Sequence, residues 1–243
     1  MEALLTRLRF NRCRVNMGVA MKHAAYPLPS RAWGRRVGGA GLYRNGGKRA
    51  LDLALTLCAA PLALPLIALL WLLVRAGGAP GFFAHIRIGR HGRPFRCWKL
   101  RTMRPDAAEC LARLLAENPH AAAEWADHFK LRFDPRITRI GRFLRRSSLD
   151  ELPQLLNVLR GEMSLVGPRP VTREELPRYG AAASICLSCR PGLTGPWQVS
   201  GRNDISYRER VRLDAHYARS HGLSEDVLIL LRTVRVVLAK TGL

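Results

Sequence analysis

The sequence predicts an α+β, mainly helical fold: a monotopic membrane protein with an N-terminal re-entrant helix-break-helix and a cytoplasmic domain that contains a small β-hairpin. Three observations carry this. The stretch LALTLCAAPLALPLIALLWLLV, Leu53 to Val74, holds no charge and is long enough to span a bilayer as a helix. Pro61 and Pro65 fall inside it, and each removes a helical N–H and clashes with the preceding turn. Basic residues flank both ends: Lys48 and Arg49 before the run, Arg75, Arg87, Arg90, Arg93 and Arg96 after it.

A straight span would carry one basic flank across the membrane, against the positive-inside tendency. A helix that enters, bends at the prolines and returns keeps both flanks on the cytoplasmic side. Each arm of about 11–13 residues then reaches the bilayer middle and no further. A buried core helix is the weaker alternative, because the run is apolar all round. Carbonyls freed near Pro61 and Pro65 need local partners, and Asp52 at the entry is expected to pair with Lys48 or Arg49.

By this reading residues 1–43 are a basic, Gly-containing flexible tail, 44–76 the membrane helix and 77–243 the cytoplasmic domain. Met17 and Met21 are alternative translation starts, and no cleavable signal peptide is recognised. FFAHIRIG and PFRCWKLRTM, joined by RHGR, read as the hairpin. Residues 105–129 read as helical, with Pro105 near the start and an interruption at Asn118-Pro119. DPRITRIGRFLRR offers Asp134 as N-cap and Pro135 at the first helical position, with Ile137, Ile140, Phe143 and Leu144 on one apolar face. Its arginines form either a solvated basic face or one that meets anionic headgroups or a phosphorylated ligand. Ser224 is expected to cap a C-terminal helix that ends before Gly242.

The chain has 243 residues, 40 Lys plus Arg against 18 Asp plus Glu, and a formal net charge of +22. That balance calls for a polyanionic partner: nucleic acid, an acidic membrane surface or a phosphorylated substrate. Nucleic acid is set aside, because no binding motif is present and the apolar run would go unexplained. A hydrophobic content of 48% excludes a wholly disordered chain. The scattered cysteines suggest a reducing compartment, and Cys186-x-x-Cys189 lacks the further ligands a zinc site needs.

Against this basic background Asp150 and Glu151 stand side by side in SSLDELPQLLNVLRGEMSLVGPRP. They sit where a helix is expected to start. Ser148 with Glu151 fits a capping box, and Asp150 as N-cap fits too; either would favour ionised carboxylates. Gly161 closes that helix, a short apolar strand follows, and Arg169 lies between Pro168 and Pro170, placed to offer its fork to a phosphate. A carboxylate can act as a nucleophile toward phosphorus, and a second one can hold Mg²⁺. Capping and catalysis are both open at this point.

KRALDLALTL, KLRTM, DPRITRIGRFLRRSSLDELPQLLNVLRGEMSLVGPRP and RPGLTGPWQVSGRNDISYRERVRLDAHY together resemble the bacterial sugar transferases, the monotopic phosphoglycosyl transferases. The resemblance covers about residues 44–243 and is strongest to the short exopolysaccharide-production enzymes. It implies transfer of galactose 1-phosphate or glucose 1-phosphate from a UDP-hexose to undecaprenyl phosphate, with release of UMP. It implies a cytoplasmic catalytic domain on the bacterial inner membrane, contact with its anionic lipids, and hand-over to downstream glycosyltransferases. Asp150 falls on the family's nucleophile and Glu151 on its Mg²⁺ ligand. Lys99, Arg101 and Arg169 fall on phosphate-binding positions. Asp214 falls in the metal or nucleotide site, and Arg190, Gln198 and Arg202 in the nucleotide or sugar region. One departure is Ala60, where some members carry Ser before the breaking proline; the break then rests on Pro61, Pro65 or Thr56.

Overall fold

The computed structural model describes residues 41–128, 131–200 and 205–238. Most of the basic tail, Arg202 and Gly242 lie outside them. A short π-helical turn at Tyr43–Gly47 leads into α1, Lys48–Ala76, which runs through Pro61 and Pro65. The hairpin follows as expected. β1 (Phe82–Ile88) pairs antiparallel with β2 (Pro94–Leu100), and the reversal uses His91 at φ 59° and Gly92 at φ 74°. α2 (Ala107–Glu117) and α3 (Pro119–His128) are divided at Asn118, because the residue before a proline avoids helical geometry. The remaining elements are α4 (Arg139–Ser147), α5 (Gln154–Leu159), β3 (Ser164–Val166), α6 (Ala183–Cys186), β4 (Gly192–Thr194), α7 (Tyr207–Ser220) and α8 (Leu223–Leu238). β3 and β4 form a second, parallel two-stranded sheet.

Several local expectations are corrected. The N-cap of α4 is Thr138, whose hydroxyl accepts from the Gly141 N–H at 2.9 Å. Asp134 instead grips the Arg136 guanidinium at 2.8 and 2.6 Å, so its oxygens are taken before the helix begins. Phe143 points outward at 56% exposure beside the exposed Arg139, Arg142 and Arg146, while Leu144 is fully buried. α8 starts at Leu223, one residue before the expected cap Ser224. Asp52 pairs with neither Lys48 nor Arg49. It is buried and accepts the Leu165 N–H at 3.1 Å, while Lys48 reaches Asp226 and Arg49 donates to the Val158 and Leu159 carbonyls.

Two packing features set the site. Asn157 of α5 is fully buried and stitches α5 to β2: its Oδ1 accepts from the Trp98 N–H, and its Nδ2 donates to the Arg96 carbonyl and to Glu162. Gly141 lets α4 press on the end of β2, since a Cβ there would sit 2.0 Å from the Thr102 carbonyl oxygen. Leu70 and Val74 of α1 share a core with Leu100 and Leu144. A second core joins Phe95, Val158, Met163 and Val166 to Tyr217 and Ile229, and a third joins Ile88, Val171 and Leu176 to Tyr179 and Ala215.

Candidate active site

The acid pair occupies a tight corner and not a helix cap. α4 stops at Ser148, which takes the left-handed conformation (φ 57°), and Leu149–Glu151 form one 3-10 turn. The flanking residue of α5 is Pro153, and neither Ser148 nor Pro153 makes a side-chain capping bond. The capping reading is thereby corrected. The αL residue turns the chain sharply, and the following turn presents both carboxylates toward β2.

There they meet Lys99. Its ammonium lies 2.5 Å from Glu151 Oε1 and 4.0 Å from Asp150 Oδ2. Asp150 is 7% exposed. Burial raises its pKa to about 6; Glu151 pushes the same way, while Lys99 and Arg145 pull it down. Burial thus works against the ionised form, yet at about 6 the carboxyl still ionises below neutral pH. Burial also opposes the charge on Lys99, but Glu151 and Asp150 outweigh it and raise its pKa. Arg145, which sequence reasoning did not single out, donates to Thr102 at 2.9 Å and adds positive charge near Asp150.

Farther along the hairpin lies a second group. Arg169 has its guanidinium over Trp197 at 5.1 Å, and its backbone N–H donates to Asp214 Oδ2 at 3.3 Å. Tyr179 donates to the same oxygen at 3.1 Å. Asp214 is fully buried, and burial raises its pKa to about 7, moderated by the Arg169 N–H and Tyr179. Arg87, on β1, pairs with Glu175 at 3.0 Å. In the hairpin register His85 stands opposite Cys97 and Phe83 opposite Lys99, so Arg87, Cys97 and Lys99 share one face of the two strands.

The remaining expected residues are placed differently. Arg101 donates to the Pro80 carbonyl and lies over Phe83, which stands opposite Lys99 in the hairpin. Arg190 donates to the Gly161 carbonyl at 2.8 Å, bracing the end of α5. Gln198 sits with its Oε1 against Gly195. Among the described residues no group of three His, Cys, Asp or Glu could hold an ion. Asp150 and Glu151 alone remain a hard-oxygen pair of the kind that binds Mg²⁺ together with substrate phosphates. Arg210, Tyr207 and Tyr179 were missed. Tyr207, Arg210 and Asp214 stand three and four residues apart, a spacing that marks one helix face.

Fold and site define a mainly helical protein with one long apolar helix and a buried aspartate that, with its neighbour Glu151, is faced by a lysine. Residues 43–240 match the family model described as bacterial sugar transferase, and the chain belongs to that family. It is 49% identical over 195 residues to the undecaprenyl-phosphate galactose phosphotransferase of Salmonella typhimurium, covering 80% of this chain and 41% of the relative. It is 46% identical over 196 residues to the exopolysaccharide production protein ExoY of Sinorhizobium fredii, covering 80% and 87%. It is 38% identical over 205 residues to the UDP-glucose:undecaprenyl-phosphate glucose-1-phosphate transferase of Caulobacter vibrioides, covering 77% and 68%. The chain spans about two fifths of the Salmonella relative's length.

Proposed function

We propose that this protein transfers a hexose 1-phosphate, galactose or glucose, from a UDP-hexose to undecaprenyl phosphate in exopolysaccharide synthesis. The observation that carries the reading is the buried Asp150 beside Glu151 and Lys99, in a chain of this family. An Asp150 carboxylate oxygen attacks the β-phosphorus of the donor. The bond from that phosphorus to the bridging oxygen breaks, UMP departs, and the hexose phosphate remains on Asp150 as an acyl phosphate. A phosphate oxygen of undecaprenyl phosphate then attacks the same phosphorus and frees the carboxylate. With its pKa near 6, Asp150 is mainly ionised at neutral pH yet poorly solvated, which suits a nucleophile. Lys99 sets charge against the phosphates and orients Glu151. Mg²⁺ held by Glu151, with Asp150 adjacent, would neutralise diphosphate charge when bound.

The long apolar helix indicates membrane association. Both ends of α1 dock on one body: Arg49 and Asp52 on α5 and β3, Leu70 and Val74 on the core with Leu100 and Leu144. Between them Leu55, Leu57, Leu62, Leu64 and Leu69 are exposed. Thr56 donates to the Asp52 carbonyl at 2.7 Å, a contact that bends helices. These features support re-entry into the inner membrane with the catalytic domain on the cytoplasmic face, resting on anionic lipids. The test is UMP release from UDP-hexose with polyprenyl phosphate and Mg²⁺. Wild-type protein turns over and Asp150→Asn does not; full turnover by Asp150→Asn contradicts the reading.

A further inference from the structure

The hairpin carries an apolar surface that the acid pair does not use. Phe82 and Phe83 open β1, and each is 41% exposed. Adjoining exposed apolar side chains mark a surface that something covers. Phe82 meets Trp71 of α1, with ring centres 6.3 Å apart. Gly81 permits that approach, since a Cβ there would lie 2.1 Å from the indole. Beside Trp71 on α1, Leu69, Leu72 and Leu73 are exposed as well. The apolar surface of the long helix therefore continues onto the start of β1.

The far end of this surface is cationic. Phe83 stands opposite Lys99 in the hairpin register, on the face from which Lys99 reaches Glu151 and Asp150. The Arg101 guanidinium lies 5.4 Å from the Phe83 ring centre, and that of Arg75 lies 5.8 Å from the Trp71 ring centre. Arg101 commits its Nε to the Pro80 carbonyl at 3.1 Å. Neither Arg75 nor Arg101 enters an ion pair among the described residues. The tips of the Arg101 fork are thus placed to bind an anion above Phe83. An apolar track that begins on a membrane helix and ends between an arginine and a lysine fits a phosphate monoester of a long isoprenoid.

We propose that Trp71, Phe82 and Phe83 guide the isoprenoid chain of the acceptor lipid, and that Arg101 holds its phosphate beside Lys99. This rests on the acceptor reading above and names the residues that serve it. The acceptor phosphate then arrives on the side of the hairpin where Asp150 holds the phosphorus to be attacked. A UDP-hexose brings no long apolar part to cover a surface continuous with α1. Phe83 also differs from a plain interfacial anchor, because it shares the face of Lys99 and lies under an arginine.

Steady-state kinetics of the full chain at fixed detergent, with undecaprenyl phosphate and UDP-hexose varied in turn, tests this. Phe83→Ser is expected to raise the acceptor KM about fivefold or more, the loss of one apolar contact, while the donor KM moves less than about twofold. Phe83→Leu regains most of that loss, because the contact is apolar. Arg101→Gln raises the acceptor KM about tenfold, again with little change for the donor. Should Phe83→Ser misfold, Phe82→Ser, nearer the membrane end of the track, shows the same split. Flotation with anionic vesicles that lack the acceptor separates a track from an anchor, and these variants float as the wild type does. Unchanged acceptor KM in the Phe82 and Phe83 variants overturns the track. So does a donor KM that rises as much as the acceptor KM, or a loss of flotation in step with the loss of turnover. Retention of radiolabelled undecaprenyl phosphate by the protein in detergent reads binding without turnover. Retention by the wild type and not by Phe83→Ser supports the track even where an active Asp150→Asn sinks the covalent reading, and a wild type that retains none overturns it.

Discussion

At the scale of residues, Asp150 ties chemistry to stability. Its carboxyl titrates near 6, above the ordinary 3.8, mainly because it is buried. The folded protein therefore holds this proton between about pH 4 and 6 when the unfolded chain has lost it, so the group opposes folding increasingly across that window and fully above it. Asp150→Asn is predicted to stabilise the protein at pH 7.5 by on the order of 1–3 kcal/mol, with little effect at pH 4, while reducing turnover roughly a thousandfold or more. Thermal unfolding at the two pH values and UMP release check the two halves. In the proposed reaction the ionised form attacks, so kcat/KM is predicted to fall as pH drops through about 6. Lys99 pulls that pKa down, so Lys99→Met moves the acid limb to higher pH, as a pH–rate profile would read. The identity of the acid pair and of Lys99 was legible in the sequence, because the motifs are contiguous. Their electrostatics were not, because burial comes from α5 and β2 packing over a turn that the local sequence equally describes as a cap.

At the scale of elements, the site depends on how α5 is fixed to β2. Asn157 makes three hydrogen bonds from a fully buried position. Asn157→Leu leaves the Trp98 N–H and the Arg96 carbonyl unpaired, a predicted loss of about 2–4 kcal/mol, and it loosens Lys99 relative to the acids. Lower thermal stability together with lower kcat is the expected result. The hairpin and the α2–α3 break were readable from Gly and Pro placement. The start of α4 was misread because Asp134-Pro135 carries the same signal as a true cap, and only the buried Arg136 pair shows where Asp134 is spent. α7 went unread although Ser206 and Glu209 form the spacing of a capping box, and Ser206 does accept the Glu209 N–H at 3.2 Å. What that omission hid was the Tyr207–Arg210–Asp214 face.

At the scale of the whole molecule, one apolar helix is anchored at both ends to the domain that carries the acids. A latch closes one end: Tyr43 and Lys48 both reach Asp226 of α8, and Tyr217 of α7 donates to its other oxygen. Single cysteines introduced at Arg44 and Gly78 are predicted to label from the same, cytoplasmic side in sealed vesicles; labelling from opposite sides contradicts re-entry. The apolar run made the long helix α1 legible, whereas the latch joins residues 178 positions apart and no local pattern announces it. The central claim is that Asp150 carries the hexose phosphate. Mass spectrometry of the protein incubated with UDP-galactose or UDP-glucose and Mg²⁺, without lipid acceptor, tests it most directly. The account predicts a hexose phosphate on the peptide containing Asp150, matched by UMP, absent in Asp150→Asn and discharged by undecaprenyl phosphate. Turnover that produces UMP only when acceptor is present, with no adduct on that peptide, would contradict it.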